Sequence, residues 1–180
     1  MKRNLYFFLP LIASAFLWIF VGNLFAEDSA PIQPIQKSDA EWAKLLTKDE
    51  FRILRKEGTE RAYSSPLLKE KRDGVYSCAG CELPLFSSIT KYKSGTGWPS
   101  FYAPLDPKRI GFKEDRKLWT PRTEVHCARC GGHLGHVFKD GPRPTGLRYC
   151  LNGLALDFKP MPRSKIPQQK PTISRKDIKH

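Results

Sequence analysis

Four of the five cysteines stand in two Cys-x-x-Cys pairs, Cys78 with Cys81 and Cys127 with Cys130, and this spacing limits the possible folds more than any other feature. Thiolates two residues apart on a tight turn can both reach one ion, and two such turns complete a tetrahedral zinc site. The pairs are separated by residues 82–126, a longer gap than in a zinc ribbon. Each pair also leads into an apolar step, Leu85-Phe86 after the first and Val137-Phe138 after the second. Two similar hairpins facing each other through their cysteines account for this weak repeat. Three other readings compete: structural disulfides in an exported protein, a thioredoxin-like redox pair without its βαβ context, and a local two-Cys, two-His site using His133 and His136. The last would strand Cys78 and Cys81. One structural zinc on all four cysteines is the expectation.

The rest of the chain reads as one domain with tails. Apolar residues make up 40% of the 180, enough for a packed core but not for a membrane bundle. Lys2 and Arg3 precede an apolar run from Leu5 to Val21, with Ala26 before Glu27 and Asp28. That order reads as a secretory signal, residues 1–26, cleaved after Ala26. Uncleaved, the run is about as long as the roughly 20 residues a membrane anchor needs. Either form places the remainder outside the cytoplasm, periplasmic or membrane-anchored, with contact to the membrane only through the anchor. Residues 27–37 read as a linker and 38–159 as the folded domain. Residues 160–180 carry many Lys, Arg and Pro and little that is apolar, so a disordered basic tail is expected. The net charge of +13 is concentrated partly there, and a solvated end explains it without any nucleic-acid partner.

Two short helices should open the domain. Ser38 with Glu41, and Thr47 with Glu50, are capping-box pairs. Trp42, Leu45 and Leu46, then Phe51 and Leu54, supply apolar stripes, with Gly58 placed for a C-terminal cap. From Gly74 onward, short apolar stretches alternate with Gly, Pro, Asp and Ser, which signals antiparallel β structure rich in loops. The clearest strand has Leu147, Tyr149 and Leu151 alternating with Arg148, Cys150 and Asn152, so the last three are expected on one polar face. The apolar phase slips after Gly153, suggesting a bulge.

Cys150 is left without a structural role. A lone thiol is often a small buried hydrophobe, but its expected face partners are Arg148 and Asn152. A nearby guanidinium and imidazolium would favour its thiolate, and Asn152 would be placed to hydrogen-bond a bound group. His133 and His136 lie among Gly132 and Gly135, a setting that suits side chains lining a cleft.

These residues carry a resemblance. The blocks Gly58-Thr59-Glu60, Ser94-Gly95-Thr96-Gly97-Trp98-Pro99-Ser100-Phe101, Arg122-Thr123-Glu124-Val125, His133-Leu134-Gly135-His136-Val137-Phe138 with Asp140-Gly141-Pro142, and Thr145-Gly146-Leu147-Arg148-Tyr149-Cys150-Leu151-Asn152 occur in one order. From about Trp42 to Phe158 the chain resembles the B class of methionine sulfoxide reductases, which act on the R epimer. The resemblance implies a mainly β fold of coiled, barrel-like antiparallel sheets with short N-terminal helices and a structural zinc site on Cys78, Cys81, Cys127 and Cys130. It implies Cys150 as nucleophile, a site lined by His133, His136, Asp140, Arg148 and Asn152, and Trp98 as receiver of the sulfoxide methyl group.

Two departures stand out. Many relatives carry a resolving Cys where this chain has Thr96, so a one-cysteine cycle is expected, completed by a thioredoxin-like or glutaredoxin-like reductant. Arg61-Ala62-Tyr63 replaces a Pro-Phe-like pair and should adjust only packing. The main alternative is a non-catalytic zinc module whose basic tail binds membrane or nucleic acid. It leaves Cys150 unexplained. A thiol peroxidase or disulfide oxidoreductase is a third reading, without epimer preference.

Overall fold

In the computed structural model, described for residues 31–117, 120–170 and 173–178, the domain opens on α1 (Asp39–Leu45) and α2 (Lys48–Lys56). Both capping boxes form as expected: Ser38 and Thr47 each accept a bond from the amide three residues on, and Glu41 and Glu50 reach back to the cap amide. The left-handed residue ending α2 is Glu57 (φ 51°), not Gly58. Gly58 is required for a different reason, because a Cβ there would lie 2.8 Å from the Arg52 carbonyl oxygen. The signal segment lies outside the described residues, among which no helix is long and apolar enough to cross a membrane.

Among the described residues nine short strands follow: β1 (Gly74–Cys78), β2 (Pro84–Ser87), β3 (Lys91–Tyr92), β4 (Ser100–Phe101), β5 (Ile110–Asp115), β6 (Arg122–Cys127), β7 (His133–Phe138), β8 (Arg148–Leu151) and β9 (Leu156–Pro160). They build two antiparallel sheets, one in the order β2-β1-β9 and the other β3-β4-β8-β7-β6-β5. The fold is therefore mainly β, as the sequence predicts.

The sheets meet through an aromatic core. Tyr76 and Phe86 of the smaller sheet pack on Phe101 of the larger, with ring centroids 4.9 and 4.8 Å apart, and Phe86 lies 5.6 Å from Tyr149. All four rings are fully buried. Along β8, Tyr149 and Leu151 point into this core while Arg148 and Cys150 are only half-buried. The alternation thus turns Cys150 away from the core.

Four expectations need correction. The slip after Gly153 is not a bulge, because β8 ends at Leu151 and a 3₁₀ turn (Gly153–Ala155) carries the chain into β9 of the other sheet. Asn152 therefore leaves the polar face and is buried. The linker expected over 27–37 is anchored where described, since Ile32 and Ile35 pack on the core and the Ile35 amide donates to the Arg129 carbonyl at 2.7 Å. The described part of the basic tail is packed as well. Ile166 is buried with Val75 and Leu105, Ile178 joins the main core, and Arg175 donates to the Gly146 carbonyl at 2.8 Å. Met161, Ile166, Ile173 and Ile178 give this polar stretch enough apolar surface to dock, which charge and proline content concealed.

Candidate active site and metal centre

The two Cys-x-x-Cys turns are the same structure built twice. The Cys78 amide donates to the Leu83 carbonyl and the Cys127 amide to the Gly132 carbonyl, each at 2.9 Å. In each turn the fifth residue returns a bond to the first and takes a left-handed backbone, Glu82 at φ 59° and Gly131 at φ 69°. The turns join β1 to β2 and β6 to β7, one in each sheet, and their sulfurs converge. Cys78 lies 3.7 Å from Cys130 and Cys81 lies 3.5 Å from Cys127, with all four within 4.8 Å of one another. Zinc–sulfur bonds of about 2.3 Å in a tetrahedron demand sulfurs about 3.8 Å apart, so the donor set fits zinc. Hydrogen bonding to Cys127, Cys130 and Cys81, with burial behind it, pushes the Cys78 thiol up, and a bound dication would favour its thiolate instead. Among the described residues no other group of three or more such ligands forms. The two-Cys, two-His alternative is excluded, since His133 and His136 bond carboxylates instead.

Cys150 lies in the middle of the larger sheet, paired with His136 of β7 on one side and Ser100 of β4 on the other. Directly paired residues share a face, so the thiol and the His136 side chain stand next to each other. The close strand approach needs Gly135, where any Cβ would collide with the Cys150 carbonyl. On the other side, Thr96 Oγ1 lies 3.6 Å from Cys150 Sγ and 2.9 Å from Ser94 Oγ, which in turn meets Ser100 Oγ at 2.8 Å.

Each histidine is held by a buried carboxylate. His136 Nε2 lies 2.7 Å from Asp115 Oδ2, and His133 Nδ1 lies 3.0 Å from Glu124 Oε1. The rings meet edge to face, centroids 5.4 Å apart, and His133 Nε2 has no protein partner. Burial pushes His136 below the ordinary histidine pKa while the bond to Asp115 pulls it back up. Although burial opposes it, bonds from the Lys117 amide, His136 and Arg122 hold Asp115 below the usual carboxylate range.

Arg148 is fixed by a two-pronged bond to Asp140, Nε to Oδ1 at 2.8 Å and Nη2 to Oδ2 at 2.7 Å. Its guanidinium sits 4.3 Å from the Phe138 ring centroid. Trp98 is half-buried, and its Nε1 donates to the Glu60 carbonyl at 3.2 Å. Asn152 does not reach into the cleft as expected: Oδ1 accepts from the Glu60 amide at 2.9 Å and Nδ2 donates to the Leu134 carbonyl at 3.1 Å. Its place is to hold the end of β8.

Residues 46–160 match the SelR domain family. The chain belongs to that family. A relative from Methanosarcina barkeri is 54% identical over 125 residues, covering 69% of this chain and 88% of its own. One from Leptospira interrogans is 53% identical over 124 residues, covering 69% and 95%, and one from Agrobacterium fabrum 49% over 127, covering 71% and 94%. All three are named peptide methionine sulfoxide reductase MsrB.

Within this SelR domain the structure gathers Cys150, His136, His133, Arg148 and Asp140, while Asn152 stands behind them. Sequence reasoning assigned no role to Asp115, Glu124 or Glu60. Glu60 is 4% exposed, and its carboxylate accepts the Gly153 amide at 2.6 Å and the Leu154 amide at 3.0 Å. Glu60 and Glu124 stand within the blocks that carry the family resemblance, and that position is the signal the sequence offers for them.

Asp115→Asn should expose the link between Asp115 and His136. A histidine that donates a proton loses rate as pH rises through its pKa. Without the carboxylate that pKa falls further, so the descending limb of the kcat–pH profile moves to lower pH. At neutral pH we expect a loss of roughly ten- to hundredfold, read from kcat measured across pH.

Proposed function

We propose that this SelR domain is a peptide-methionine (R)-S-oxide reductase with Cys150 as its nucleophile. The observation that carries the reading is a half-exposed thiol, outside the four-sulfur cluster, paired across the sheet with a carboxylate-bound histidine. A sulfoxide sulfur is a weak electrophile until its oxygen takes a proton. A thiolate is needed on one side and a proton donor on the other, roles suited to Cys150 and His136. His133 packs edge to face against His136 and so helps to fix the ring of the proton donor. Arg148, held by Asp140 through two hydrogen bonds, stands on the same face of β8 as the thiol. Sulfur–oxygen bond cleavage then releases methionine as the thioether and leaves Cys150 as a sulfenic acid, so the sulfoxide is reduced and the cysteine oxidised. Trp98, locked by Glu60, supplies an aromatic wall for the methyl group, which selects one epimer by shape.

The remaining four cysteines are committed to the metal site, so an external thiol completes the cycle. It condenses with the sulfenic acid, releasing water and forming a mixed disulfide that a second thiol resolves. A thioredoxin-like or glutaredoxin-like partner fits that chemistry. Residues 1–26 support export, with the reductase outside the cytoplasm.

Purified protein incubated with dithiothreitol should turn over the R epimer and not the S epimer, with one zinc per chain in the same sample. Insulin reduction or peroxide consumption without epimer preference would instead indicate a general thiol enzyme. Thr96→Cys tests the recycling route. With Thr96 Oγ1 3.6 Å from Cys150 Sγ, a cysteine there is within reach, and one turnover should yield an intramolecular disulfide by mass spectrometry. The natural sequence should yield none.

A further inference from the structure

A groove of about 910 Å³ opens beside Trp98, between residues 63–72 and the stretch from β3 to Ser100. Ser94 and Ser100, which connect to Cys150 through Thr96, form part of its lining. The groove and the reaction site therefore share a wall. Its volume is near the upper end of small-molecule sites, about 300–1,000 Å³, and well beyond what one methionine side chain fills.

The charge lining it is one-sided. Lys69, Lys71, Arg72, Lys91 and Lys93 face a single carboxylate, Glu70. That carboxylate is already engaged, accepting Arg72 Nε at 3.0 Å and Nη2 at 2.6 Å, and these bonds draw it down to about 2. Among the described residues Lys91 Nζ donates to a neutral carbonyl, that of Glu70, at 2.8 Å and pairs with no carboxylate. Lys69, Lys71 and Lys93 are exposed and have no carboxylate partner among the described residues. Four uncompensated cations on a concave wall focus a positive field along it.

We propose that this groove receives the residues flanking the methionine sulfoxide in a protein substrate and selects acidic ones. The proposal rests on the reductase reading above. An aromatic rim on the same wall suits an extended peptide backbone: Tyr63 is 71% exposed, and its hydroxyl donates to the Gly95 carbonyl at 2.7 Å.

The test measures kcat/KM for the full chain on three peptides of equal length, with the R-sulfoxide flanked by Asp and Glu, by Ser, or by Lys, beside a blocked single methionine-R-sulfoxide. At low ionic strength the acidic peptide should exceed the basic one by roughly tenfold, and the ratio should shrink toward one in about 0.5 M salt. Combining Lys69→Glu, Lys71→Glu and Lys93→Glu should invert the ratio within that one variant, so that losses in yield or folding cancel. Lys44→Glu, on α1 and outside the groove, should leave the ratio as it was. Equal rates on the three peptides, with the single residue still reduced, overturn the inference alone. An equal shift from Lys44→Glu overturns it too. No turnover of any substrate overturns the reductase reading, and the inference with it.

Discussion

Cys150→Ser is expected to lower kcat on methionine-R-sulfoxide by at least about 10⁴-fold while leaving the melting temperature and zinc content unchanged. Removal of a covalent nucleophile has effects of that order or larger. The chemistry gives a further reason here. Sulfur can accept the sulfoxide oxygen and become a sulfenic acid, whereas a serine hydroxyl has no comparable oxidation state to enter. The fold should not notice the change. Cys150 is half-buried on the outward face of β8, and its packed neighbours in that strand are Tyr149 and Leu151. Turnover with dithiothreitol, calorimetry and metal analysis on the same preparation decide the matter. Residual activity within tenfold of the parent would mean that another thiol carries the reaction.

Loss of the metal should be the second large effect, and it acts on stability instead of chemistry. Cys130→Ser, or exhaustive chelation, is expected to leave a chain unfolded at room temperature, read as lost near-UV circular dichroism and the absence of a cooperative thermal transition. Structural zinc contributes about 10–16 kcal/mol in small systems that fold only with metal, comparable to the whole stability of a typical domain, about 5–15 kcal/mol. The geometry explains why so much rests on it. Cys78 and Cys81 close a turn of the three-stranded sheet, and Cys127 and Cys130 a turn of the six-stranded one. The ion ties the sheets together where no backbone hydrogen bond does. A native melting curve for the metal-free chain would refute this.

Much of this architecture could be read from local signals. The capping boxes at Ser38 and Thr47, the paired cysteine turns and the alternation along β8 each depend on residues within a few positions of one another. What escaped depends on distant partners. Asp115 meets His136 across 21 residues, and Asn152 meets Glu60 across 92. No periodicity marks such pairs. Alternation assigns Asn152 to the polar face because it gives no sign of where a strand stops. The packing of the tail is hidden for a related reason, since a few isoleucines spread through a basic stretch reveal their use only when a surface is there to receive them.

Glu60 sits upstream of everything it organises. Its carbonyl accepts the Trp98 indole, its amide donates to Asn152 Oδ1, and its carboxylate accepts the Gly153 and Leu154 amides. Both the indole and the end of the sulfur-bearing strand are thus tied to one residue. A shift of that single residue would therefore be felt at the Trp98 loop and at the exit of β8 together.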